Sequence, residues 1–269
     1  MRRITIWIGI ALIVAGAVGV LDALGVITVS VCGLFWAFVF IAVGVWMVLG
    51  VVDRRPSIEK DEAALPLEGA QRAHIHIHHG AGRLQVSAGA GPDELLRGTF
   101  RGGLNLEKKR EGDLLDVEMR LPPGNVQGLI YPWKWGGGRG LEWKLALNDD
   151  IPLSISVEGG VSENRVELGD LRVTDLSIET GASATWLTLP ADAGHTKAEI
   201  SCGAGSVQVS VPPGVAARIR TASTLGGITV DRKRFPRVDR RLYESPDYET
   251  AANRVDLRID VSIGSITVG

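Results

Sequence analysis

Gly160, Gly181, Gly203 and Gly226 stand 21, 22 and 23 residues apart, and each opens a segment of similar pattern. GVSENRVEL starts at Gly160, GASATWLTLP at Gly181, GAGSVQVSVP at Gly203 and GGITV at Gly226, while GAGRLQVS from Gly80 and GSITV from Gly264 belong to the same set. A period of this size marks stacked units, none of which buries its apolar side chains alone. Glycine at the recurring position supplies backbone conformations closed to other residues, as a tight corner requires.

Aligning the glycines sets Val207, Val209 and Val211 beside Thr185, Leu187 and Leu189, and beside Asn164, Val166 and Leu168. Ahead of the corner, Ala198, Ile200 and Cys202 align with Leu176, Ile178 and Thr180, and with Ile259, Val261 and Ile263. Apolar side chains at every second position read as strands with one inward face, and nothing after residue 68 keeps a helical period. The expectation for 68–269 is an all-β domain, a β-solenoid or irregular β-helix with Gly-cornered rungs of about 22 residues. A β-sandwich would explain the strand spacing, but not the likeness of successive corners.

The chain needs a second solvent before residue 53. Between Arg3 and Asp53 the one charged residue is Asp22, and the runs 4–21 and 31–52 each have the length a bilayer core requires. A signal peptide would explain the first run alone, not a second one following so closely. Residues 1–53 are therefore expected to form a two-helix transmembrane hairpin, with Asp22 at the headgroup level. Ala11, Ala15 and Gly19, facing Gly33 and Ala37, would allow close packing. Arg2, Arg3, Arg54 and Arg55 flank the pair, and the stretch from Asp22 to Ser30 has no Lys or Arg, which predicts both termini on the cytoplasmic side of the cell membrane. Residues 54–67, charged and containing Pro56 and Pro66, read as a linker.

The hairpin, carried by GIALIVAGAVGVLDALG and WAFVFIAVGVWMVLG, resembles the membrane region of LiaI/LiaF-like bacterial proteins. The rest resembles the toast-rack domain over GAGRLQVSAGAGPDELLRGTF, IPLSISVEGGVSENRVELGDLRVTDLSIETGASATWLTLP, GAGSVQVSVPPGVAARI and YESPDYETAANRVDLRIDVSIGSITVG. The resemblance implies an accessory of the envelope-stress response, in which LiaF-like members restrain a membrane sensor kinase. It supplies no catalytic residues. The chain departs from the better-known members in having two predicted spans where they have more.

Candidate sites are few. His74, His76 and His78 alternate on one strand face, while His79 turns inward before Gly80. Imidazoles spaced by about 7 Å per step do not converge readily on one metal ion, so a solvated face is the simpler reading. Trp133, Trp135 and Trp143 lie in the Gly-rich YPWKWGGGRGLEWK, too irregular for a strand; they suit contact with membrane or partner, or capping of the solenoid's open end. Trp186 falls in an outward column with Arg165 and Gln208 and is a further contact candidate. The charged stretch 231–250 reads as a solvated loop.

No nucleophile elbow, zinc signature or phosphate loop is present, and no cofactor is implied. Asp170, Asp175 and Glu179 are the nearest approach to the carboxylates of a β-helical carbohydrate enzyme, but read more simply as turn and surface positions. With a net charge of -2 and pI near 6.2, nucleic acid is not an expected partner. The two cysteines, Cys32 and Cys202, make no disulfide framework. The expected function is binding: a membrane-anchored regulator whose partners are the bilayer and a membrane sensor protein. The alternative is a scaffold that associates with itself.

Overall fold

The computed structural model describes residues 60–122 and 141–269; the apolar runs and Trp133 and Trp135 lie outside them. Seven strands of ordinary length come first: β1 (Lys60–Pro66), β2 (Arg72–His78), β3 (Ala81–Ala88), β4 (Glu94–Arg101), β5 (Asn105–Glu111), β6 (Leu114–Arg120) and β7 (Glu142–Leu147). Four long ones follow, β8 (Leu153–Glu167), β9 (Val173–Thr188), β10 (His195–Ser210) and β11 (Ala216–Val230). Short β12 (Arg237–Asp239) and β13 (Leu242–Glu244) precede a last long strand, β14 (Arg254–Val268).

Each long strand is one repeat unit turned through a corner. In β9 the buried positions nearest the corner are Leu176, Ile178 and Thr180 before Gly181, then Ser183, Thr185 and Leu187 after it, so the inward set changes from even to odd numbers. Strict alternation would carry the second half's apolar side chains to the wrong face. β10 makes the same change and β8 and β14 the reverse one, from odd to even, and the two halves line one hydrophobic core. Long strands pair in parallel along both halves. At Gly205 and Gly264 the corner takes φ of +143° and +144°, a region that favours glycine.

The earlier strands build the same kind of rung in two pieces. β2 and β3, joined through His79 and Gly80, pair with the first and second halves of β8. β6 and β7 add the next rung, pairing with β2 and β3. β5 and β4 close this end in antiparallel fashion, and β1 pairs with β4. The described residues form an all-β, solenoid-like fold. Among the described residues no helix is long and apolar enough to cross a membrane.

The aligned columns bury as expected: Val207, Val209 and Val211, Thr185, Leu187 and Leu189, and Asn164, Val166 and Leu168 are all interior. Their buried polar members bond to one another. The Asn164 amide donates to Ser162 Oγ at 3.0 Å and Thr185 Oγ1 at 3.2 Å, and the Thr180 and Ser183 hydroxyls lie 2.8 Å apart. This satisfies groups that the corner would otherwise strand away from water.

The rungs do not stack in chain order, because β14 lies between β10 and β11, and two expectations need correction. In that position Ala198, Ile200 and Cys202 pair with Leu257, Ile259 and Val261, two residues from the expected register, and Ile263 faces water. A slip of two preserves the inward face, so alternation did not exclude it; Gly264 sits opposite Gly205 rather than Gly203. Finally, β1 falls within the stretch read as linker: Leu65 is buried and the backbone pairs with β4, despite the surrounding charge.

Candidate functional site

Pleating brings His74, His76 and His78 to the outer face of β2, all partly exposed. His78 stands between two carboxylates on neighbouring strands, with Nδ1 3.0 Å from Glu158 and Nε2 3.1 Å from Glu118. Only a doubly protonated ring can donate to both. The Arg120 guanidinium also binds Glu118 and is the main cause holding that carboxyl below the usual range. No group of three or more His, Cys, Asp or Glu suited to a metal ion occurs among the described residues.

Trp143 is not a contact residue. It lies in β7 with 0% exposure, its ring edge-on to Phe100 at 5.4 Å and to His79 at 5.2 Å, so neither membrane nor partner reaches it. Gly98 makes room for this cluster, since a side chain there would collide with the Phe100 ring. His79 is buried and both of its ring nitrogens, like Trp143 Nε1, have no hydrogen-bond partner among the described residues. Burial pushes the His79 pKa from 6.5 down to about 4.

This neutral histidine makes folding pH-dependent. Between the two values the unfolded chain takes up a proton that the folded chain refuses, so stability is full above pH 6.5 and falls as pH drops to about 4. The loss amounts to about 3 kcal/mol, and below that window His79 adds nothing further. Replacing it by an uncharged apolar residue, His79→Leu, is expected to flatten the profile between pH 6.5 and 4 in urea titrations. An unchanged slope would assign the acid sensitivity to other groups.

Trp186 stands on the outer face of β9, in register with Arg165 on β8 and Gln208 on β10. The Arg165 guanidinium carbon lies 5.4 Å from the ring centroid. The row continues through Thr267 on β14 and Thr229 on β11, giving a guanidinium, an amide and two hydroxyls in line with one partly exposed ring. Such a surface suits contact with another protein, with the ring as anchor.

The stretch 231–250 is a cap, not a loop. Phe235, Tyr243 and Tyr248 are buried, and β13 pairs with the first half of β11 at Arg218–Arg220. Arg218 fastens it, bonding Glu244 and Glu249 at 2.6 Å each and lying 4.1 Å from the Tyr248 ring centroid. Burial is the main cause raising the Tyr248 pKa to about 12, with its hydrogen bond to Asp256 second. Burial opposes ionisation of Asp256, but bonds from Tyr248 and His195 outweigh it and hold that carboxyl below its ordinary value. The sequence signal for the cap was its three aromatic residues.

A depression of about 600 Å³ over β1, β4, β7 and β3 contains Arg97 and Lys144, which pair with Glu94 at 2.7 Å and Glu142 at 3.5 Å. Asp170 occupies a turn, and Asp175 and Glu179 are exposed on β9. Four residues along a strand separate those two by about 13 Å, beyond the spacing of roughly 5–9.5 Å that glycoside hydrolysis uses.

Residues 53–210, more than half of the chain, match the family model described as the N-terminal domain of toast_rack, DUF2154. Residues 167–268 match that of cell wall-active antibiotics response LiaF, C-terminal. No curated protein matches the chain. Among solved structures, a candidate cell adhesion protein from Clostridium sporogenes ATCC 15579 is similar, with 18% identity and a TM-score of 0.67, covering 78% of this chain and 98% of that one. This likeness is one of fold. A candidate adhesin from Bacteroides fragilis NCTC 9343 aligns over 80% of this chain and 99% of its own, at 7% identity and a TM-score of 0.26.

Proposed function

Because this chain belongs to the toast-rack family and carries a LiaF-type C-terminal region, we propose that it is a non-catalytic, membrane-anchored accessory of the bacterial response to cell-wall stress. The observation that carries this reading is the match of the LiaF-type region to residues 167–268, which include the long rungs β9, β10, β11 and β14. Residues 1–53 would span the bilayer twice and hold the rungs on the cytoplasmic side, where a membrane sensor protein docks against a preformed surface at low entropic cost. Trp186 and the polar row beside it are the contact we favour, with Trp133 and Trp135 as further candidates.

Deleting the protein from its own bacterium is expected to alter the transcriptional response to a cell-wall-active antibiotic. The full chain restores the response, whereas residues 57–269 without the apolar runs do not. Restoration by the untethered part contradicts anchoring, and an unchanged response after deletion contradicts the role in stress signalling.

A further inference from the structure

Four stretches form the free edges of the described sheet, and three are protected against pairing with another chain. β1 has Lys60, Asp61, Glu62 and Pro66; β5 has Glu107, Lys108, Lys109, Arg110 and Glu111; β12 is three residues long with Arg237 and Asp239. Charge, proline and shortness are the usual means of blocking edge-to-edge association. The fourth edge has none of them. From Ser223 to Val230 the second half of β11 reads STLGGITV, and among the described residues β13 pairs only with the first half.

This open edge is also where exposed apolar surface collects. Leu225 is 65% exposed, Ile263 beside it on β14 55%, and Ile228 37%, making three of the five large hydrophobic side chains exposed among the described residues. The cap on β11 stops short of them.

We infer that the Leu225–Val230 edge pairs with the same edge of a second copy of this chain, antiparallel about Gly227. Two-fold symmetry makes such an interface self-complementary. Gly227 then lies opposite itself, Leu225 opposite Thr229, and Ile228 opposite Gly226, whose missing side chain leaves room for it. No charged residues meet across this register, so a second copy brings no repulsion. Each copy contributes the exposed backbone groups of its edge to the shared ladder and covers the other's Leu225 and Ile228.

The test uses the full chain in membranes, with Gly227→Cys. A Cβ at Gly227 has open space around it, so the substitution leaves the rung intact. Opposed Cβ atoms in an antiparallel pair stand about 5 Å apart, close enough for mild oxidation to join them. The expected product is a disulfide-linked dimer, well above the background set by Cys32 and Cys202 in the unsubstituted chain. Val238→Cys, exposed but off this edge, should give background only. Adding Leu225→Lys, whose charge must stay hydrated, should raise the dimer Kd by about tenfold or more while the strand signal in circular dichroism is unchanged. Crosslinking no greater than at Val238→Cys overturns the inference. So does capture of a protein other than this chain, or a dimer indifferent to Leu225→Lys.

Discussion

Removing Arg254–Gly269 is expected to unfold the described domain outright instead of shortening it by one rung. In a solenoid stacked in chain order, the last strand would be peripheral. Here β14 lies between β10 and β11 and pairs with both along its length. Val255, Leu257, Ile259, Val261, Ile266 and Val268 are all buried on it. Burying each such side chain contributes about 1.5–3 kcal/mol, so the joint loss of the six, about 9–18 kcal/mol, is comparable to the roughly 5–15 kcal/mol by which domains are stable. Circular dichroism of the truncated chain should show no cooperative melting of strand. Retention of a sharp transition would mean that β14 is not internal.

Gly264→Ala is expected to destabilise the fold by about 3–5 kcal/mol. An added Cβ would overlap the carbonyl oxygen of Gly205 on the neighbouring rung, far closer than the 3.0 Å that real Cβ atoms respect. The overlap is with backbone, which cannot swing aside, and the φ of +144° is strained for any L side chain. Gly205 meets the Ser183 carbonyl and Gly226 meets that of Gly264 in the same way, so the column transmits the displacement. Gly227→Ala, in open space, serves as the comparison and should stay within about 0.5 kcal/mol. Urea midpoints measure both; equal midpoints would mean that the corners are looser than their spacing implies.

The corner columns were legible because glycine spacing and alternation report the same geometry twice. Both place Val207, Leu187 and Val166 inside, and both turn His79 inward. Strand order was not legible. Gly226 and Gly264 open nearly identical segments, and local pattern gives no reason why one rather than the other should lie beside Gly205. Trp143 was hidden by the glycines before it, which suggest irregular chain, whereas pairing with β3 and β4 makes its segment a strand. Leu65 in β1 and Phe235, Tyr243 and Tyr248 in the cap recur with no period, and only the surfaces they cover explain their burial. At the candidate site, the register placed Trp186 between Arg165 and Gln208 correctly. The open edge of β11 depends on where the cap ends, a tertiary fact.

Amide hydrogen exchange on the intact chain reads the interior position of β14 without perturbing it. Strands paired on both sides open only with the whole domain, whereas terminal ones fray. Amides of Arg254–Val268 are expected to exchange as slowly as those of β9 and β10, and much more slowly than those of β1. Fast exchange across β14 beside a protected β10 would instead make β14 a fraying, peripheral strand.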